Sequence, residues 1–119
     1  MPKKILVVED EIIVLKTIEL RLKEKGFEVV TAINGVVALE KFQNESIDLI
    51  LVDVEMPQMN GYTFVTRLKD LKLAKSIPIV VMAETEEMQD IFRRKGIKEF
   101  LAKPLVWDRL FPTVQRLAV

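Results

Sequence analysis

Acidic residues follow two apolar runs that have the length of buried strands. The run Leu49–Val52 is followed directly by Asp53, and the run Ile5–Val8 is followed by Glu9 and Asp10. Uninterrupted apolar runs are typical of strands that are buried on both faces of a parallel sheet. Because the carboxyl ends of such strands lie along one edge, where ligands bind in open α/β sheets, we expect these three carboxylates to lie close together.

A lysine, Lys103, follows a further predicted strand and should reach the same edge. Three neighbouring carboxylates repel one another strongly, so the cluster implies a bound divalent cation. Oxygen ligands without His or Cys favour Mg²⁺, Mn²⁺ or Ca²⁺ over zinc or copper. A carboxylate nucleophile, a hard cation and a lysine are together suited to phosphoryl transfer, with Asp53 as the attacking group.

Each of these residues also has a purely structural interpretation. Taken alone, Asp53 is better explained as a capping or surface aspartate, and Lys103 as a surface lysine. Acidic residues also favour the first turn of a helix, which is the role expected of Glu11. Because Asp53 and Lys103 are expected at the same edge of the sheet, a metal-binding role is favoured for Glu9 and Asp10.

The composition narrows the function classes. A length of 119 residues predicts a single domain over residues 1–119. Lys plus Arg and Asp plus Glu both number 18, so no net charge would attract nucleic acid or a membrane. The absence of His and Cys excludes common zinc sites, histidine bases and disulfides. Without a signal-peptide pattern or an apolar run of ~20 residues, a cytoplasmic protein with no direct nucleic-acid or membrane contact is expected.

Strand and helix patterns alternate along the chain, five of each. The predicted strands are Ile5–Val8, Phe27–Ala32, Ile47–Val52, Ile79–Met82 and Glu99–Ala102. The first helix should end at Gly26. The last helix places Trp107 and Phe111 in the core, and since Pro112 crowds the carbonyl of Asp108, it should begin late, near Asp108, or be bent. The alternation predicts an α/β fold with a doubly wound parallel sheet.

Three segments, each at a predicted strand end, carry a family resemblance: Val8–Glu11, Leu51–Gly61 and Phe100–Pro104. They resemble the receiver domains of two-component response regulators, the family of the chemotaxis protein CheY. The resemblance covers the whole chain. It implies a flavodoxin-like five-stranded parallel sheet of order 2-1-3-4-5 with five helices, and a phosphorelay signalling module rather than a turnover enzyme.

The resemblance implies a role for each site residue. Asp53 corresponds to the aspartate that takes a phosphoryl group from a sensor histidine kinase or phosphotransfer domain, and Lys103 to the lysine that contacts the phosphoryl oxygens. Asp10 and Asp53 correspond to metal-binding carboxylates for Mg²⁺ or Mn²⁺. Glu9 would contribute directly or through water, and Glu55 through its backbone carbonyl.

The resemblance also implies how the module signals. The bond between Lys103 and Pro104 is expected to be cis. Phe100 corresponds to the aromatic switch position, although a plain core aromatic is an equal alternative. The face formed by the fourth helix, the fifth strand and the fifth helix should change its affinity for a downstream partner or output domain.

One departure from the family pattern lies at the end of the fourth strand. Ala83 stands where the family has a Ser or Thr that bonds the phosphoryl group, and Glu84 follows where a small residue is usual. Thr85 is a possible substitute donor, and the segment up to Gly96 is about two residues shorter than the common pattern. The switch is therefore expected to be atypical.

Two other function classes stay open. One is an interaction domain of the same fold that no longer depends on phosphorylation, which Ala83 and Glu84 favour. The other is a small phosphohydrolase of the haloacid dehalogenase type, although Asp53-Val54-Glu55 matches its paired aspartates poorly. A P-loop NTPase is excluded because the chain has no G-x-x-x-x-G-K-[ST] stretch.

Overall fold

The computed structural model describes residues 2–56, 59–72 and 76–118. The strands are β1 (Lys4–Val8), β2 (Glu28–Ala32), β3 (Leu49–Asp53), β4 (Ile79–Ala83) and β5 (Glu99–Ala102). The helices are α1 (Ile12–Glu24), α2 (Gly35–Asn44), α3 (Gly61–Asp70), α4 (Glu86–Arg93) and α5 (Trp107–Leu117). In the described part of the chain, no helix has the length and apolar character needed to cross a bilayer.

The five strands pair in parallel in the order β2-β1-β3-β4-β5, which confirms the predicted fold and strand order. The register determines which side chains meet at the carboxyl edge. Val8 lies opposite Val52, so Glu9 is level with Asp53. Asp53 lies opposite Met82, and β5 is aligned so that Lys103 follows just beyond this level.

Successive strand residues face two separate apolar clusters, one on each side of the sheet. The cluster beneath α2, α3 and α4 includes Leu6, Val8, Ile50, Val52, Val81, Phe64 and Phe92. The cluster beneath α1 and α5 includes Ile5, Val7, Leu49, Leu51, Met82, Leu22 and Leu110. Each fully buried large apolar side chain contributes ~1.5–3 kcal/mol, so the central strands are held firmly from both faces.

The helix ends follow local sequence signals. Asn34, Asn60 and Thr85 cap α2, α3 and α4, since each side-chain oxygen accepts an N–H from the residue three positions on. Gly26, with a φ of 92°, follows the end of α1 as predicted.

The last helix begins one residue before Asp108 and contains Pro112, close to the prediction. The expectation that Phe111 belongs to the core is wrong. Phe111 is half-buried and stacks on Trp107 with ring centroids 5.6 Å apart. Trp107 packs against the apolar cluster beneath α1 and α5. The stack of the two rings lies at the edge of the core. The Lys25 ammonium lies over its Phe111 ring.

Gly61 packs against the backbone of Asp53. Its N–H donates to the Val54 carbonyl over 2.9 Å, and a Cβ atom at Gly61 would lie 2.1 Å from the Asp53 carbonyl oxygen. Because that oxygen belongs to the backbone, Gly61→Ala should lower the free energy of unfolding by ~1–3 kcal/mol. Urea denaturation measures the loss, and Thr63→Ala on the exposed side of α3 is the control, with a change within ~0.5 kcal/mol. Equal stability of the two variants would contradict this packing.

Candidate functional site

The predicted site residues meet at the carboxyl edge of the sheet. Glu9, Asp10 and Asp53 each offer a carboxylate oxygen, and these oxygens lie within 4.8 Å of one another. The Lys103 Nζ atom lies 3.2 Å from Asp53 Oδ1 and 3.6 Å from Glu9 Oε1. Residues from three different strand ends therefore form one cluster.

The members of this cluster differ in exposure. Glu9 is 0% exposed and Asp53 is 4% exposed, whereas Asp10 and Lys103 are half-buried. Asp10, Asp53 and Lys103 line a cavity of about 390 Å³, which we call the acidic cavity. Asp53 thus lies at the floor of a cavity, with Glu9 behind it.

The two Glu9 oxygens have different surroundings. Oε2 accepts the backbone N–H of Asp10 over 3.1 Å and that of Glu11 over 3.5 Å. Oε1 is buried and has no hydrogen-bond partner among the residues that the structure describes. One oxygen therefore stabilises the loop after β1, and the other is left for a ligand or for the Lys103 charge.

Burial and charge shift the proton equilibria of two residues. The pKa of Glu9 is raised from 4.5 to about 8, first by burial and next by the neighbouring Asp53 carboxylate, against the opposing charge of Lys103. Burial by itself lowers the pKa of Lys103, but the charges of Asp53 and Glu9 outweigh it, so the pKa is raised. Near neutral pH without metal, Lys103 is charged and Glu9 is largely protonated.

The donor set fits a hard divalent cation. All three candidate ligands are carboxylates, and oxygen ligands are those that Mg²⁺ takes in proteins. The buried Glu9 Oε1 without a hydrogen-bond partner has the free lone pairs that a cation or its water would use. A divalent charge at this position would also favour the ionised form of Glu9.

The predicted switch positions are Ala83, Thr85 and Phe100, and the strand β4 ends at Ala83 without a hydroxyl. Ala83 is 1% exposed. The Thr85 hydroxyl accepts the N–H of Met88 over 3.2 Å, which caps α4, so its role as a substitute donor stays a prediction. Phe100 is half-buried, and the Arg93 guanidinium carbon lies 5.1 Å from its ring centroid.

Other residues of the predicted motifs can also be located. The peptide bond between Lys103 and Pro104 is cis. Glu55 is exposed and lines the acidic cavity, while the role of its backbone carbonyl stays a prediction. Pro57 and Gln58, which belong to the turn after β3, lie outside the described residues.

Several residues that line the acidic cavity were not predicted as site residues from the sequence, among them Glu11 and Met88. Glu11 is the N-cap residue of α1, as its helix-start interpretation implies, but its side chain makes no capping bond and lines the cavity instead. Met88 was assigned only to the apolar stripe of its helix, yet it lines the cavity. The two-residue connection between Ala83 and Glu86 was the available signal, because it brings the first turn of α4 close to β3.

A family model for the response regulator receiver domain matches residues 5–115. The chain belongs to this family. One curated relative of this receiver domain is the hybrid signal transduction protein dokA of Dictyostelium discoideum, which is 38% identical over 95% of the chain and 7% of its own length. The chain spans less than half the length of the first curated relatives it matches.

Solved structures of receiver proteins superpose closely on this one. The chemotaxis protein CheY4 of Vibrio cholerae is 32% identical, with a TM-score of 0.90 over 98% of this chain and 99% of that one. The response regulator TrrA of Thermotoga maritima, solved in complex with Mg²⁺ and BeF, is 30% identical, with a TM-score of 0.85 over 97% and 98% of the two chains.

The raised pKa of Glu9 predicts a pH-dependent stability of the metal-free receiver domain. Between the unfolded value of 4.5 and the folded value of about 8, the folded state binds more protons. The stability that protonated Glu9 contributes is therefore full below pH 4.5 and is lost as the pH rises through 8. Urea denaturation in EDTA should show the free energy of unfolding falling between about pH 5 and about pH 9.

Glu9→Gln should remove most of this fall, because glutamine does not titrate. Glu24→Gln, an exposed change at the far end of α1, should keep it. The same pH profile for wild type and Glu9→Gln would show that Glu9 does not titrate in this range.

Proposed function

We propose that this domain accepts a phosphoryl group on Asp53 from the phosphohistidine of a sensor histidine kinase or phosphotransfer domain. The observation that carries the proposal is the Lys103 ammonium 3.2 Å from the Asp53 carboxylate, next to two further carboxylates. The cluster combines a nucleophile, a fixed cation and oxygen ligands at the floor of one cavity.

In the proposed reaction, an Asp53 oxygen attacks phosphorus. The bond between phosphorus and the donor imidazole nitrogen breaks, a bond between phosphorus and the Asp53 oxygen forms, and the released imidazole takes up a proton from solvent. Lys103 lies where its charge can contact an oxygen of the transferred group. Its ion pair with Asp53 holds the ammonium at this position before the donor arrives.

The proposed cofactor is Mg²⁺ or Mn²⁺. Asp10 and Asp53 would hold it, with Glu9 as a direct or water-mediated ligand and Glu55 through its backbone carbonyl. When bound, the cation supplies positive charge that neutralises the phosphoryl oxygens. The proposal is supported by the buried Glu9 oxygen without a hydrogen-bond partner and by the similar response regulator that was solved with Mg²⁺ and BeF.

The proposed output is a change in partner affinity at the α4–β5–α5 face, with a switch that is weaker than usual. Ala83 has no hydroxyl to bond the phosphoryl group, and the Thr85 oxygen is engaged at the helix start. A hydrogen bond to a charged group contributes ~1.5–3 kcal/mol, which is as large as a typical allosteric coupling of ~1–3 kcal/mol. The loss of one such bond is therefore enough to weaken or reroute the signal.

A second candidate is a receiver fold that binds its partner regardless of phosphorylation, which the buried Ala83 favours. Partner affinity decides between the two. Equal affinity of wild type and Asp53→Asn, with and without a phosphodonor, would support the second candidate. A signalling module of either kind makes a single adduct or none, whereas a phosphohydrolase would show steady turnover of a phosphate ester.

Asp53→Asn should abolish phosphorylation. Incubation with acetyl phosphate and Mg²⁺ should add the mass of one phosphoryl group to the wild type and none to the variant, because an amide oxygen is a far poorer nucleophile. Asp70→Asn, at the exposed end of α3, is the matched control and should be modified like the wild type. A wild type without adduct, under conditions that modify other receivers, would remove the proposal.

Ala83→Ser should strengthen the phosphorylation-dependent change. A hydroxyl at this buried strand end lies beside the acidic cavity, so phosphorylation should alter hydrogen exchange in α4 and β5 more than in the wild type. Ala102→Ser is the control, since Ala102 lies opposite Ala83 in the sheet and is exposed. If all three proteins respond alike, the missing hydroxyl does not limit the switch.

A further inference from the structure

Glu84 lies at the boundary between two concave regions. Only Glu84 and Thr85 connect β4 to α4, so this short connection remains at the carboxyl edge of the sheet. The exposed Glu84 lines the acidic cavity and also a neighbouring groove of about 910 Å³, which we call the α1–α5 groove.

The charged residues that line the acidic cavity are mostly carboxylates, beside the apolar Val54, Met56, Met82 and Met88. The carboxylates that line it are those of Asp10, Glu11, Asp53, Glu55 and Glu84. Lys103 is the one cation among its described lining residues, and that cation is already paired with Asp53 and the buried Glu9. Glu84 itself forms no ion pair within the described part of the chain. Its charge is therefore not neutralised by an ion pair with any of the described residues.

The α1–α5 groove has apolar walls that reach this negative charge. The apolar residues that line it are Ile13, Val14, Ile18, Leu105, Trp107 and Leu110, and Arg21, which lies over the Trp107 ring, lines it as well. Among these apolar residues, the Ile13 side chain is 82% exposed to solvent. Glu11, Glu84 and Lys103 line both the groove and the acidic cavity, so a protein surface seated in the groove would contact these charges.

We propose that Glu84, together with Glu11, determines which phosphodonors the domain accepts. This inference rests on the proposed function of Asp53. The two carboxylates disfavour small anionic donors and favour a donor protein that presents an apolar surface and a Lys or Arg side chain beside its phosphohistidine.

The physical reason is the different charge that each donor brings. A small acyl phosphate is an anion and carries no positive group, so the exposed carboxylates of Glu11 and Glu84 lower its concentration near Asp53. A donor protein can place cations against Glu11 and Glu84, which favours encounter and correct orientation. A divalent cation bound at the site assists every donor alike, so the discrimination stays with the two glutamates.

The first experiment measures phosphorylation of Asp53 by acetyl phosphate with Mg²⁺ at low ionic strength. Acetate leaves as its bond to phosphorus breaks, and an Asp53 oxygen forms the new bond. Glu84→Gln should raise the rate by about two- to fivefold, and added salt should reduce the difference because it screens exposed charges. Glu24→Gln removes the same charge at the far end of α1 and should leave the rate unchanged.

The second experiment uses two synthetic phosphohistidine peptides of equal length, one flanked by lysines and the other by glutamates. The wild type should be phosphorylated faster by the lysine-flanked peptide. The ratio of the two rates should fall by about two- to fivefold in Glu84→Gln and further in the variant that also carries Glu11→Gln.

The outcomes separate this inference from the proposed function. If Asp53 is modified at equal rates in wild type and Glu84→Gln, and the peptide ratio is unchanged, donor selection by Glu84 is overturned and the phosphoacceptor role stands. If no variant is modified by any donor, the phosphoacceptor role itself fails. A faster reaction in Glu24→Gln as well would show a general charge effect and would also overturn the assignment to Glu84.

Discussion

Two acidic side chains, Glu9 and Asp53, are buried side by side, and the ammonium of Lys103 lies within 3.6 Å of both. Two neighbouring carboxylates cannot both remain ionised in a buried site without a compensating charge. Burial first, and next the neighbouring Asp53 carboxylate, raise the pKa of Glu9, and the charge of Lys103 opposes this only in part. Such a cluster remains only where the surrounding fold is stable enough to hold it, and it leaves the site ready for ligands that bring positive charge.

The sheet supplies that stability. Its central strands are buried on both faces, and their register places Glu9 level with Asp53. The backbone on the other side of Asp53 is equally constrained, because Gly61 leaves no space between α3 and the Asp53 carbonyl. Asp53 therefore sits on a rigid element, whereas Glu11, Glu55 and Glu84, which also line its cavity, lie on connecting segments.

The connection between β4 and α4 has two consequences for signalling. The strand before it ends at Ala83, which has no hydroxyl, and within it the Thr85 oxygen caps α4. The connection also brings Glu84 and Met88 to the cavity. The end of β4 and the segment after it thus combine the absence of a hydroxyl with a negative charge beside the cavity. Under the proposed function, both the readout and the choice of donor would depend on this part of the chain.

The sequence alone determined the class of fold and the principal site residues. Apolar runs that end in Glu9-Asp10, Asp53 and Lys103 are local patterns, and parallel pairing brings their ends to one edge whatever the details of packing. Helix ends at Asn60 and Gly26 were likewise local matters of capping and backbone conformation.

Only the tertiary structure decided how these residues interact. The folding back of Glu9 Oε2 onto two backbone N–H groups, and the isolation of Oε1, depend on distances between separate segments that no sequence pattern encodes. The half-buried stack of Phe111 on Trp107 and the place of Met88 at the cavity have the same origin. Periodicity identifies an apolar side of a helix, but the relative placement of neighbouring elements decides which of its residues reach the core, the solvent or the site.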